Sequence, residues 1–169
     1  MQMTLPHLAE LLKDDSPITK RVYLKRIEAR YSKECIREDA PEEFATARFT
    51  SPKQVFEMFS ELLYEAKEHF ITLHLDGKNR IIAMDRVSEG SLNQSIVHPR
   101  EVFKTACLSS AASIIMIHNH PSGDPTPSQE DLQITRRLKE GGELLGIKVL
   151  DHIIVGKTYY SLKESGHML

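Results

Sequence analysis

A run of small and apolar residues, Ser113 to Ile117 (SIIMI), leads straight into a segment that neither strand nor helix can continue, HNHPSGDPTPSQED at 118–131. An unbroken branched run with no polar alternation predicts a strand covered on both faces, which requires a sheet carrying helices on each side. The prolines at 121, 125 and 127 remove backbone donors, so the chain must leave the sheet there. Gly123 permits the sharp turn that brings it back. Ser128 then suits a helix N-cap, and the acid three positions on, Asp131, fits the reciprocal capping pattern. A buried strand, a stiff loop and a helix start therefore follow one another, at the kind of junction where α/β folds place their sites.

The flanking segments agree with that architecture. Around 49–70, Ser51 can cap and Pro52 can take the first helical position, while Val55, Phe56, Phe59, Leu62 and Leu63 form one apolar face, so an amphipathic helix is predicted. FITLHLD and RIIAMDRVS, joined by the turn-forming DGKN at 76–79, predict a β-hairpin, and SIV at 95–97 could begin a further short strand. HPREVFKTACLSSAA predicts a helix with Pro99 near its start. SQEDLQITRRLKEGGELLGI predicts another, with Gly141 and Gly142 weakening its middle or ending a first segment, before strands in KVLDHIIVG and TYYSL. Alternating helices and strands with hairpins at both ends give an α/β, mixed α+β, domain. Residues 1–45 are charged and irregular in period. Their one helical candidate, ITKRVYLKRIEARYSKECIRED, places Val22, Leu24, Ile27, Tyr31 and Cys35 at a loose helical spacing, so this stretch is expected to be an arm or docking helix before a domain spanning 46–169.

Composition narrows the function classes. With 169 residues, 40% of them hydrophobic, one well-buried core is expected. Lys and Arg number 22 against 24 Asp and Glu, so overall charge draws the chain to neither nucleic acid nor an anionic membrane. Cys35 and Cys107 lie far apart with no C-x-x-C spacing, which argues against a disulfide scaffold and fits a reducing, cytoplasmic compartment. No apolar run approaches the roughly 20 residues of a membrane span, and the N-terminal residues do not read as a signal peptide. No membrane association is expected.

His118 and His120 are two apart, so on a continuing strand both imidazoles emerge on one face, within reach of a single metal ion. The cap geometry points the Asp131 carboxylate back toward them. Two neutral imidazoles and a carboxylate make the three-protein-ligand set of a catalytic zinc site, with a fourth position left for water, whose pKa zinc lowers to about 7. A general base must then come from elsewhere in the chain.

The pattern H-x-H-P, seven residues from 121 to 127, then S-x-x-D resembles the JAMM (JAB, MPN+) metalloprotease family. HNHPSGDPTPS together with DHIIVG is similar to its bacterial RadC branch, over roughly residues 48 to 165. The resemblance implies a JAB/MPN-type fold, a mixed β-sheet flanked by helices with a cytidine-deaminase-like architecture. It implies Zn2+ as cofactor with His118, His120 and Asp131 as metal ligands, and Ser128 as the catalytic residue bonding the metal-bound water or the developing oxyanion. Glu68, which precedes a hydrophobic strand, matches the family's general base. Its alternatives are a solvated helical face shared with Glu61 and Glu65, or Glu89 or Glu101 in the role of base. Asp151 and His152 are candidates for support behind the ligands, His152 being equally explained as a satisfied core histidine. Full-length RadC proteins usually begin with a helix-hairpin-helix region, and no hairpin glycine pattern appears in residues 1–45, so the resemblance is to a short form.

The expected activity is zinc-dependent hydrolysis of a peptide or isopeptide bond in an unknown protein or peptide substrate. The alternative is a binding module of the same fold, associated with DNA repair or mobile elements and without hydrolytic activity; nucleic-acid association rests on the resemblance alone. Asp124, between Gly123 and Pro125, reads as a turn former rather than a ligand. No H-E-x-x-H, no P-C-x-x-C with H-x-E, no Walker loop and no dinucleotide fingerprint is present, which excludes those site classes.

Overall fold

The computed structural model of the chain describes residues 25, 27–28, 30–35, 48–90 and 97–168. The backbone divides into two units, Met1–Tyr31 and Ser32–Leu169. The boundary expected at 45/46 lies outside the described residues. Of the helix expected within 18–39, residues 25, 27–28 and 30–35 carry no helix, and the rest lie outside the described residues. Ile27 and Tyr31, its intended apolar face, are exposed. A helix of that length draws most of its stability from burying such a face, and here those two residues stay largely exposed.

Among the described residues, the second unit is a mixed five-stranded sheet with three helices. Helix α1 (Pro52–Phe59) starts as the sequence predicts, with the Ser51 side chain accepting the Gln54 amide and Pro52 in the first turn, and it tightens into a 3₁₀ turn over Ser60–Tyr64. Strands β1 (Glu68–Leu75) and β2 (Ile81–Gly90) form the hairpin. In its turn the Asp76 carboxylate accepts the amides of Lys78 and Arg80, and Asn79 takes the positive φ. Helix α2 (Pro99–Leu108), strand β3 (Ser113–Asn119), helix α3 (Gln129–Leu145) and strands β4 (Lys148–Val155) and β5 (Tyr159–Ser161) complete the order. Val97 of the suggested SIV strand is in no strand and packs into the core; Ser95 and Ile96 lie outside the described residues.

The strand order is β2-β1-β3-β4-β5, with β3 and β4 parallel and the other pairs antiparallel. Strand β3 is central and buried along its whole length, as its apolar run requires. Alternate residues separate two apolar layers. On one face Leu73, Ile115, Ile117 and Ile153 pack against Val55, Met58 and Leu62 of α1 and the 3₁₀ turn; on the other, Phe70, Ile114 and Met116 pack against Val102 and Phe103 of α2 and Leu138 of α3. Each such side chain contributes about 1.5–3 kcal/mol when fully buried.

Gly141 and Gly142 neither break nor end α3. A Cβ on Gly142 would stand 2.4 Å from the Ile147 carbonyl oxygen, and one on Gly141 would stand 3.2 Å from the Phe103 ring. These glycines are small because α3 lies tight on α2 and on its own exit turn. The helix ends at Gly146, in the left-handed conformation with φ 71°.

Candidate metal centre

The site is built at the carboxyl end of β3. His118 is the last residue of β3 in the β1 ladder, opposite Phe70, whose ring stacks on it with centroids 6.2 Å apart. Beyond Asn119 the chain turns toward β4, and the His120 amide bonds the Val155 carbonyl at 2.9 Å. Gly123, at φ 80°, closes the turn onto the His120 carbonyl, and its own carbonyl accepts the Lys157 amide at 2.8 Å. The prolyl loop thus rests on the β4–β5 turn before Ser128 opens α3. Asp124 does what the sequence suggests for it: its carboxylate accepts the Thr126 amide at 2.9 Å in a local turn.

Ser128 and Asp131 form a full capping box. The Ser128 amide and hydroxyl both donate to Asp131 Oδ2, each at 2.7 Å, and the Asp131 amide donates to Ser128 Oγ at 3.1 Å. One carboxylate oxygen is therefore fully engaged. The other, Oδ1, is buried and has no hydrogen-bond partner among the described residues. It lies 3.1 Å from His118 Nε2, which is itself 3.0 Å from His120 Nε2.

The outer ring nitrogens of the histidines have their hydrogens set by neighbouring groups. Thr135 Oγ1 gives its single hydrogen to the Asp131 carbonyl at 2.6 Å, so it accepts from His152 Nδ1, also at 2.6 Å. His152 Nε2 is then a bare acceptor and takes the hydrogen of His118 Nδ1 at 2.8 Å. His120 Nδ1 gives its hydrogen to the Asp124 carbonyl at 2.7 Å. These bonds place a hydrogen on Nδ1 of both ligand-position histidines, so each neutral ring presents a bare Nε2. With both imidazoles neutral, two lone pairs and one carboxylate oxygen converge with no hydrogen between them, an arrangement that repels unless a metal ion or a proton is present. Among the described residues, His118, His120 and Asp131 form a group able to offer three ligand atoms, all within 4.8 Å of one another. The donor set fits a divalent ion.

Without a metal ion, a proton can take its place between these groups. Burial opposes charge on Asp131, but the two imidazoles beside it and the Ser128 hydroxyl outweigh burial and hold its carboxyl well below the ordinary carboxylate range. Asp131 in turn pushes His120 above the usual imidazole value against the effect of burial, with help from the Asp124 carbonyl and the Glu68 charge. His152 is fully buried, and burial first, then the neighbouring His118, push it well below the usual value, so it stays neutral as the relay of hydrogens requires.

Asp151 and His152 part company. Adjacent strand residues face opposite sides of a sheet, and the register Ile115↔Asp151 and Met116↔His152 sends Asp151 to the α1 face and His152 to the face of His118. The Asp151 carboxylate accepts from Ser161 Oγ at 2.6 Å and from the amides of His152 and Lys163, tying β4 to the turn after β5. The expectation that it backs the ligands is corrected on that ground. Thr135, which the sequence reading missed, sits one helical turn after Asp131; that i, i+4 spacing was the available signal.

Glu68 is the first residue of β1, not part of a helical face with Glu61 and Glu65, because the helix tightens and ends at Tyr64. Phe70 pairs with His118 in an antiparallel ladder, so Glu68 stands level with His120 where the two strands part. Its charge bears on His120. Of the alternatives for a base, Glu89 is paired with Lys67 at 2.8 Å and Glu101 with Lys104 and Arg100.

The sequence profile of the RadC-like JAB domain matches residues 49–167. The chain belongs to the RadC-like JAB domain family. A UPF0758 protein of Trichlorobacter lovleyi is 68% identical over 121 residues, covering 70% of this chain and 53% of the relative. One of Geotalea uraniireducens is 64% identical over 123 residues, covering 72% and 54%, and one of Methanosarcina mazei is 58% identical over 121 residues, covering 70% and 53%. The chain thus matches these curated relatives over about half their length. As in the JAB/MPN-type domain the sequence pattern implies, the mixed sheet carries helices on both faces. No helix among the described residues is long and apolar enough to cross a membrane.

The hydrogen relay behind His118 yields a direct expectation. Replacing His152 with leucine removes the acceptor that orients His118, and metal affinity should fall about 10- to 100-fold, the usual effect of losing the partner behind a ligating imidazole. Competition titration against a chromophoric chelator measures it; unchanged affinity in a folded variant would refute the relay.

Proposed function

We propose that this RadC-like JAB domain is a zinc-dependent hydrolase of peptide or isopeptide bonds. The observation that carries the proposal is the convergence of two bare imidazole nitrogens and the unpartnered Asp131 Oδ1 on one point. His118, His120 and Asp131 would hold the ion. When bound, zinc supplies Lewis acidity and brings the pKa of a coordinated water to about 7.

The rest of the work falls to the chain's own residues. Glu68, level with His120 at the sheet end, takes a proton from the attacking water and returns it to the leaving amine. Ser128 holds Asp131 through its hydroxyl and amide and, by turning that hydroxyl toward substrate, would stabilise charge developing on the carbonyl oxygen. The Phe70 ring covers His118 and His152 from the β1 side and excludes water there. The substrate is a protein or peptide. The free, exposed Cys35 and Cys107 support a reducing cytoplasmic setting.

The test separates binding from chemistry. Glu68→Gln should retain wild-type zinc content and lose about 10²- to 10⁴-fold in turnover, the range for removal of a general base. Zinc-loaded protein is screened against peptide and isopeptide-linked libraries by mass spectrometry, with the variant in parallel. Cleavage that persists in Glu68→Gln would refute the assignment. No cleavage by either, with salt-sensitive binding of single-stranded DNA by both, would favour the binding-module reading.

A further inference from the structure

Between the two histidines lies a residue that the metal centre does not use. Asn119 points to the opposite face of β3 from His118 and His120, toward the 3₁₀ turn, and is fully buried. Its carboxamide makes three hydrogen bonds. Oδ1 accepts the His69 amide at 2.8 Å, and Nδ2 donates to the carbonyls of Lys67 at 3.0 Å and Leu62 at 2.9 Å. Lys67 and His69 are the residues on either side of Glu68.

The β1–β3 ladder runs from Leu75↔Ser113 only as far as Phe70↔His118, because β3 then turns toward β4. The backbone at 67–69 would lose its partner on that side at the point where Glu68 must be held. The Asn119 carboxamide replaces the missing peptide group, accepting and donating as a backbone unit would. Few side chains can do this: aspartate would face two carbonyl oxygens without a donor, serine has one hydrogen, and glutamine is a methylene too long.

We propose that Asn119 is a positioning residue that fixes Glu68 relative to the His118–His120 pair. One short segment, residues 118–120, then sets both the ligands and, through its middle residue, the base. This inference rests on the assignment of Glu68 as the general base.

The test uses the full chain loaded with cobalt(II), with acetohydroxamate as a probe of the ion's open side, read by visible absorption. Wild type, Asn119→Asp, Glu68→Gln and the double variant are compared. Asn119→Asp should bind cobalt at wild-type stoichiometry yet bind the hydroxamate about tenfold more weakly, and the double variant should be no weaker than Glu68→Gln alone, the non-additivity expected of one residue acting through another. Wild-type hydroxamate affinity in Asn119→Asp, or additive losses, would overturn the inference while leaving the metal centre and its base intact. Absence of cobalt from the wild type would overturn the proposed function as well. Should Asn119→Asp fail to fold, hydrogen exchange in the wild type decides: the His69 amide and the Asn119 carboxamide hydrogens should be protected as core groups are, and fast exchange at both would refute the clamp.

Discussion

His118→Ala, purified without chelator, is expected to carry almost no zinc, against about one ion per wild-type chain. The loss should be near complete because each remaining donor is already compromised. His120 is pushed toward its protonated form by Asp131, and Asp131 offers only Oδ1, its other oxygen being held by Ser128. With His118 gone, His120 and Asp131 can instead pair through a proton, which competes directly with the ion. Thermal unfolding supplies a second measure. A ligand present at 1,000 times its Kd stabilises a folded chain by about 4 kcal/mol, so wild type should gain a large zinc-dependent shift in melting temperature and His118→Ala almost none. Zinc content unchanged by the substitution would remove the basis of the site.

Gly156→Ala should damage both the fold and the metal centre. A Cβ there would stand 2.5 Å from the Gly123 carbonyl oxygen, 2.9 Å from its carbon and 3.0 Å from Pro125. The obstacles are backbone and a proline ring, which cannot swing aside as a flexible side chain would, so the prolyl loop must lift off the β4–β5 turn. Lifting breaks the bond from the Lys157 amide to Gly123 and displaces the Asp124 carbonyl that orients His120. Overpacking of this kind costs about 1–3 kcal/mol. Disturbing the group behind a ligand should lower metal affinity by about 10- to 100-fold in addition. Gly77→Ala, with nothing within 4 Å of the new methyl, is the control and should stay within about 0.5 kcal/mol of wild type. Urea denaturation of the metal-free proteins measures the first effect and chelator competition the second.

What the sequence made legible was local. Ser51 and Pro52, the Asp76 turn, the uninterrupted apolar run at 113–117 and the Ser128–Asp131 cap each act within a few residues, and each element they predict is present. The grouping of His118, His120 and Asp131 was readable for the same reason: a strand end, a prolyl loop and a cap leave little freedom. Features that depend on distant chain were harder to see. Gly141 and Gly142 look like helix breakers until Phe103 and the Ile147 carbonyl are seen against them. Which of Asp151 and His152 backs the ligands depends on the β3–β4 register, although the alternation of a strand already meant that only one of them could. Glu68 stands level with His120 only because β1 runs antiparallel to β3, a pairing across some fifty residues that no local pattern encodes. Thr135 and Asn119 act through hydrogen bonds to other segments, so neither carries a motif of its own.

The most direct measurement is anomalous diffraction at the zinc edge from crystals of the zinc-loaded full chain. The prediction is one strong peak among His118, His120 and Asp131, about 2.0–2.2 Å from both Nε2 atoms and from a carboxylate oxygen. A peak elsewhere, or none at this position in protein shown to contain zinc, would contradict the account.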